Sequence, residues 1–412
     1  MEVERKIAFF LALPFLLVVG LAGSIDYEVT VTTITVWVKA VDSSGQPVEG
    51  LLQDDFEIYE DQQKMTVTCF EETKLVSLST ASVEGEVEPE IPAKKFVVFL
   101  DLFNTDPGEW LFIKPKIQQF VDKVLEKKRE VMIAVLLPNR KMGVVVPFST
   151  DAARVRVALE KAQANPLRDS NVRSNQEEML RVLVGQAVGR STPADRLRDG
   201  FALAESFARM ERDTTRFSLH AMENFGVYLA GIKLEQHAVV LFISGGFSAD
   251  PGRRYYDMVE HASEELRQSL EDPELAIYHK TSNFELAKEV RNSIGKLNRL
   301  NVTLYTINTR GLLLTDTDLS RKDRLPQGAK DWQTARDFQD SLVQIAEETG
   351  GVSFYNSQNF THGFHQVLRD LDHQYLLCYR ASEHKKKGEY HRIKVSCKRP
   401  GVHMRHRNGY VD

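Results

Sequence analysis

Cysteine is scarce in this chain, with three in 412 residues. Cys69, Cys378 and Cys397 show none of the close-set ligand pairs of a zinc site. One disulfide is possible, and the expectation is half-buried strand residues with one pair bridged. Charge of one sign is lacking too. Lys and Arg number 53 against 58 Asp and Glu, a formal net charge of −5. No basic field therefore spans the molecule, and nucleic acid is not expected as a partner. No G-x-x-x-x-G-K-[ST] or G-x-G-x-x-G string follows a strand-like run, which removes the usual nucleotide folds. Long apolar runs are confined to IAFFLALPFLLVVGLAG, residues 7–23.

That run follows Arg5 and Lys6 and ends in Ala22-Gly23-Ser24, the pattern of an export signal. Residues 1–24 are expected to be a signal peptide, which makes the mature protein exported, periplasmic or secreted, with no transmembrane helix after cleavage. The alternative is an uncleaved N-terminal membrane anchor, since the run nearly reaches the length of a bilayer span.

Two β-rich ends flank a different middle. From Tyr27, YEVTVTTITVWVKAV reads as one or two strands, DSSGQPVEG as a turn cluster, and DFEIYEDQQKMTVTCFEE as two strands about a turn at Asp61 to Gln63. Residues 25–75 hold too few strands to close a core alone. Residues 76–95 have the Ser, Glu and Pro content of a linker. Between 96 and 372, apolar strands alternate with amphipathic helices: FVVFL at 96–100, VMIAVLL at 131–137, MGVVVPF at 142–148, HAVVLFIS at 237–244, NVTLYTIN at 301–308 and GGVSFY at 350–355. A long helical region is expected over about 151–232. The pattern predicts an α/β domain with a mostly parallel, doubly wound sheet.

The end, 373–412, returns to β. QYLLCYRAS and YHRIKVSC flank EHKKKG and read as a hairpin, and GVHMRHRNGYVD supplies a last strand. Residues 42–90 carry thirteen acids against Lys64 and Lys74, whereas 385–407 carry nine Lys or Arg against Glu389. Pairing the two ends into one β-sandwich, with the α/β domain inserted between its halves, gives both a core and matches their charges.

In an open parallel sheet, ligands sit beyond the carboxyl ends of the strands, where strand order reverses. Asp101 ends the first strand of the α/β region and Ser244 ends HAVVLFIS, so both are candidates for that crevice. With GQPVEGL (45–51), DFEIYED (55–61), VVFLD (97–101), VVLFISGGF (239–247), NVTLYTINTRGL (301–312), AEETGG (346–351), YLLCY (375–379) and RNGY (407–410), the chain resembles the VWFA-related proteins of acidobacteria. These contain a von Willebrand factor A-like domain.

The resemblance implies a metal-ion-dependent adhesion site, D-x-S-x-S after the first strand, a Thr from a middle loop and a T-D-G-like turn after the central strand. Asp101 matches the first position, Phe103 stands at the second and Thr105 at the third. Thr214 or Thr215 supplies the middle Thr, Ser244 fits the turn and Gly245 replaces its Asp. These residues would hold Mg²⁺ or another divalent cation weakly, with waters completing the shell; the other reading is a vestigial site in which Asp101 caps the following turn. Asn104, Asp106, Gly245 and Gly246 are the expected partner-binding loop residues. Asp250, in Asp-Pro-Gly, reads as a plain turn.

Gly246-Phe247-Ser248-Ala249-Asp250 approaches the nucleophile elbow G-x-S-x-G, but Asp250 fills the last position and no triad context accompanies it. A serine hydrolase acting through Ser248 or Ser244 is thus the remote reading. The expectation is a non-enzymatic protein-binding or scaffolding module whose partner is a protein or envelope component. Divalent-metal-dependent adhesion through Asp101, Thr105 and Ser244 is the alternative.

Overall fold

The computed structural model describes residues 32–74, 95–127, 129–164, 170–185, 191–232, 238–266, 286–309, 328–355, 360–382 and 388–411. The expected signal peptide, nearly all of the linker and the run Lys385 to Lys387 lie outside the described residues. Among these residues no helix is long and apolar enough to cross a membrane.

Four strands come from the N-terminal end: β1 Thr33–Val41, β2 Phe56–Glu60, β3 Gln63–Met65 and β4 Val67–Lys74. Four come from the other end: β11 His373–Arg380, β12 Tyr390–Cys397, β13 His403–Arg405 and β14 Gly409–Val411. They interleave in two four-stranded sheets, β13-β1-β11-β4 and β14-β12-β2-β3. The buried side chains Val36, Val38, Phe56, Ile58, Leu377 and Val395, contributed by both sheets, share one core. β2 and the first half of β1 alternate buried and less buried positions, the two-residue period of a strand with one face in a core. Asp61 and Gln62 take φ of 46° and 73°, the left-handed pair that closes a two-residue hairpin between β2 and β3.

The expected hairpin between QYLLCYRAS and YHRIKVSC is not formed. β11 is flanked on one side by β1 and on the other by β4, while β12 pairs with β2 and β14. Both hydrogen-bonding edges of β11 are thereby taken by N-terminal strands. Cys378 lies directly across from Cys69 in the β11–β4 register, and the two form a disulfide while Cys397 stays free and half-buried.

The middle of the chain folds as a six-stranded sheet in the order β10-β9-β8-β5-β6-β7. Its strands are β5 Lys95–Asp101, β6 Glu130–Leu136, β7 Met142–Ser149, β8 Ala238–Ser244, β9 Val302–Asn308 and β10 Ser353–Phe354. All neighbours run parallel except β6 and β7, so the sheet is mixed α/β and mostly parallel. The last strand, Ser353–Phe354, is shorter than the expected 350–355; Gly350, at φ 80°, follows the preceding helix, and a Cβ there would lie 2.6 Å from the His406 carbonyl carbon.

β5 shows why both faces are covered. Phe96, Val98 and Leu100 enter one core with α1 Pro107–Glu126 and α2 Ala152–Lys161, whereas Val97 and Phe99 enter the other with α4 Pro193–Gly231 and α6 Ala287–Arg299. Helices α7 Gly328–Glu348 and α8 Phe360–Asp372 complete the two layers. The helical region expected over about 151–232 holds, among the described residues, three helices. α3 Ser170–Gly185 and the first half of α4 join α5 Arg253–Glu265 around a separate core of Leu180, Phe201, Phe207, Tyr255 and Val259. Thr192 starts α4 with a capping box to Asp195, and Pro193 takes the first helical position.

The two architectures are fastened by buried charge. Asp370 on α8 receives two hydrogen bonds from Arg405 on β13, 2.8 and 2.6 Å, and one from Tyr305 on β9 at 2.6 Å. Lys39 on β1, buried beside them, donates to the Gly350 carbonyl at 3.0 Å. Burial pulls its ammonium down to about 7, since a low-dielectric site disfavours the charged form.

Candidate functional site

β5 and β8 are neighbours from which the chain proceeds in opposite directions across the sheet: β6 and β7 follow on one side, β9 and β10 on the other. The crevice of a doubly wound sheet opens at this switch point. Its strand ends are Asp101 and Ser244, which meet: Ser244 Oγ donates to Asp101 Oδ2 at 2.7 Å.

The carboxylate has further partners. Asn104 donates its backbone N–H to Asp101 Oδ1 at 3.1 Å and its Nδ2 to Oδ2 at 2.7 Å. The same Nδ2 donates to Ser218 Oγ at 2.7 Å. A side-chain amide thus stands between the carboxylate and the hydroxyl of α4. Asp101, Asn104, Thr105 and Ser244 are all at most 2% exposed.

Thr105 does not face the carboxylate. Its Oγ1 donates to the Asp101 main-chain carbonyl at 2.7 Å. Phe103, where the resembled motif has Ser, turns into the core and packs edge-on against Phe217 of α4 with ring centroids 5.4 Å apart. Thr214 back-bonds to the Met210 carbonyl within its own helix at 2.8 Å, and Thr215 donates to the Ser248 carbonyl at 3.0 Å. It is Ser218, one helical turn beyond Thr214, that reaches the site. A period of four along α4 was the only sequence signal for it.

The remaining loops close the crevice. Ser244 Oγ accepts from Gly246 N at 2.9 Å, and the Ser244 carbonyl accepts from Thr309 N at 3.0 Å. Thr309 Oγ1 donates to Glu109 Oε2 at 2.8 Å, tying the loop after β9 to the first turn of α1. Gly246 has φ 73°, and a Cβ there would sit 2.3 Å from the Phe338 carbonyl oxygen on α7, so only glycine fits. Asp106 is the N-cap of α1, accepting from Gly108 N at 2.7 Å in a capping box with Glu109.

Of the expected partner-binding residues, Asn104, Gly245 and Gly246 are buried and offer no surface to a partner; only Asp106 is partly exposed. The reason is physical: the Asp101 carboxylate, the Asn104 N–H and Nδ2, the Ser244 hydroxyl and the Gly246 N–H all find partners inside the protein, as buried polar groups must. What this edge of the sheet does expose is the β6–β7 turn, Asn139, Arg140 and Lys141, with Asp250 half-exposed beyond it. Ser248 is buried and its Oγ accepts from Asp250 N at 3.1 Å. Neither Ser244 nor Ser248 hydrogen-bonds to a histidine among the described residues. Nor does any cluster of three His, Cys, Asp or Glu with metal-binding geometry occur among them.

The fold and site together define an α/β domain with a mostly parallel sheet, carried on antiparallel sheets, whose switch-point crevice is filled by its own side chains. No family model matches the chain, and no curated protein matches it. Among solved structures it is similar to an aerotolerance-related membrane protein from Bacteroides fragilis NCTC 9343, at 10% identity and a TM-score of 0.30, over 68% of this chain and 97% of that one. It is also similar to the conserved hypothetical protein BatB from Bacteroides thetaiotaomicron, at 8% identity and a TM-score of 0.27, over 67% and 98%. Overlap of this degree carries no functional argument.

Proposed function

We propose that this chain is a non-enzymatic binding or scaffolding module: a von Willebrand factor A-like domain inserted in a β-sandwich, exported, and recognising a protein or envelope component without a divalent ion. The observation that carries this reading is the Asn104 amide, 2.7 Å from Asp101 Oδ2 and 2.7 Å from Ser218 Oγ. A hard cation asks for several oxygen ligands converging on one point. Here the point between carboxylate and hydroxyl holds a neutral donor that already satisfies both. The switch-point position favours recognition at this edge of the sheet, where loops on a rigid scaffold usually serve binding. The Cys69–Cys378 disulfide supports an oxidising compartment.

The test is capture of partners from an envelope extract on the immobilised protein, with and without chelator. The expected result is one partner set, unchanged by chelation. Loss of that set on chelation would return the metal-dependent reading.

A further inference from the structure

The β6–β7 turn adds a feature to the same edge. Leu137 N donates to the Lys141 carbonyl and Arg140 N to the Leu137 carbonyl, each at 2.9 Å, closing a three-residue loop. Its last residue, Arg140, has φ 64°. That position in such a loop is left-handed and suits Gly or Asn. Asn139 is adjacent, yet its side chain is used elsewhere, accepting from Lys141 N at 3.1 Å. A long cationic residue therefore holds the one backbone position that opposes it, and strain of this kind gathers at functional sites.

The side chain is equally particular. The Arg140 guanidinium lies 5.7 Å from the centroid of the Phe103 ring and 5.6 Å from that of Phe217. Phe103 is the residue two beyond Asp101, and Phe217 immediately precedes Ser218. Arg140 is exposed, and among the described residues no carboxylate pairs with it. The cation is thus placed by two rings beside the filled crevice, on an exposed residue.

We propose that Arg140 is the anchor for a carboxylate on an acidic segment of a protein partner. This rests on the reading of the sheet edge as the binding face and adds the chemistry of what binds there. A guanidinium presents a planar fork that matches a carboxylate two bonds at a time. Contact with the Phe103 and Phe217 rings limits the rotamers it would lose on binding, so less of the interaction is offset. Lys141, exposed next to it, adds a second positive charge. In the competing view Arg140 merely covers the two rings, and then its replacement alters stability and leaves binding alone.

The two views separate when a hexaglutamate peptide is titrated into the full chain at low salt, with hexaglutamine and inorganic phosphate as comparisons. Hexaglutamate should bind saturably, hexaglutamine should not, and phosphate should bind much more weakly than the peptide. Arg140→Gly, which suits the left-handed backbone, should keep the fold and weaken the peptide about tenfold or more. Arg140→Lys, which keeps the charge and loses the fork, should fall between. Absence of saturable binding to the wild type, phosphate binding as tight as the peptide, or equal binding by Arg140→Gly overturns the inference. If Arg140→Gly still captures the envelope partner set while other changes on this edge abolish it, the anchor is wrong and the binding face stands. If the wild type captures nothing, the face itself is wrong.

Discussion

Ser244 Oγ and Asp101 Oδ2 are 2.7 Å apart and fully buried, although 143 positions separate them in the chain. The bond joins the ends of adjacent parallel strands and leaves the hydroxyl free to accept from Gly246 N. It makes the strand ends part of the interior, and from it follow consequences for stability.

Asn104→Asp should turn the filled crevice into a charged one. It sets a second carboxylate against Asp101, and two such groups in contact cannot both ionise cheaply. Stability at neutral pH should fall by roughly 3 kcal/mol. The shared proton raises a folded-state pKa above its unfolded value, so stability should be regained as pH falls and lost as it rises. Mg²⁺ or Mn²⁺ should restore the variant at neutral pH, since the site then has two carboxylates and hydroxyls from Ser218 and Ser244. Denaturant melts across pH, with and without ion, read this out.

Gly246→Ala should cost at least about 2 kcal/mol, because φ 73° and the Phe338 carbonyl oxygen, 2.3 Å from the new Cβ, oppose it together. Gly143, where a Cβ meets nothing within 4 Å, is the control site. Urea midpoints of the two variants should differ accordingly.

Lys39 gives a pH signature. Its pKa is held at about 7 by burial against an ordinary value near 10.4 in the unfolded chain. Between these limits the unfolded state binds more protons, so this residue makes stability rise with pH, by up to about 1 kcal/mol per unit. Below about pH 7 both states are protonated and its contribution is flat. Lys39→Met should remove the slope. Subtracting its pH–stability curve from that of the wild type isolates the effect from other titrating groups.

The Cys69–Cys378 bridge joins positions 309 apart. Replacing both cysteines with Ser should lower stability by about 2–4 kcal/mol through release of the unfolded chain. Thiol titration of the denatured, unreduced wild type should find the Cys397 thiol alone.

Much of the sheet was legible because β5 and β8 carry unbroken apolar runs, Phe96 to Leu100 and Ala238 to Ile243, and β9 is buried along its whole length, the mark of strands covered on both faces. The helical content of 151–232 was legible as well, but its division was not, because helical periodicity alone runs through a break such as the one Thr192 and Pro193 make at the start of α4. The partners of β11 and β12 were not legible. A strand's neighbour is set by long-range burial, and here every partner of β11 lies roughly 300 to 350 residues away. At the site, the sequence marked Asp101 and Ser244 as strand ends and showed Phe103 out of place for a cation site. It did not show that Asn104 would bridge to Ser218, because an amide's partners depend on which helix the fold lays over it. Arg140 was missed for a similar reason: neither its φ nor the two rings beneath it can be read from Pro-Asn-Arg-Lys.

The most direct measurement is a titration of the full-length wild-type protein with Mg²⁺ and then Mn²⁺, following its melting temperature, alongside Asp101→Ala. With Asp101 already bonded to Asn104 and Ser244, no saturable shift should appear up to about 1 mM ion, because an ion that does not bind the native state cannot stabilise it. Chelator should likewise leave the melt in place. A saturable rise in the wild type that Asp101→Ala abolishes would contradict this, and would put a cation where the amide of Asn104 now stands.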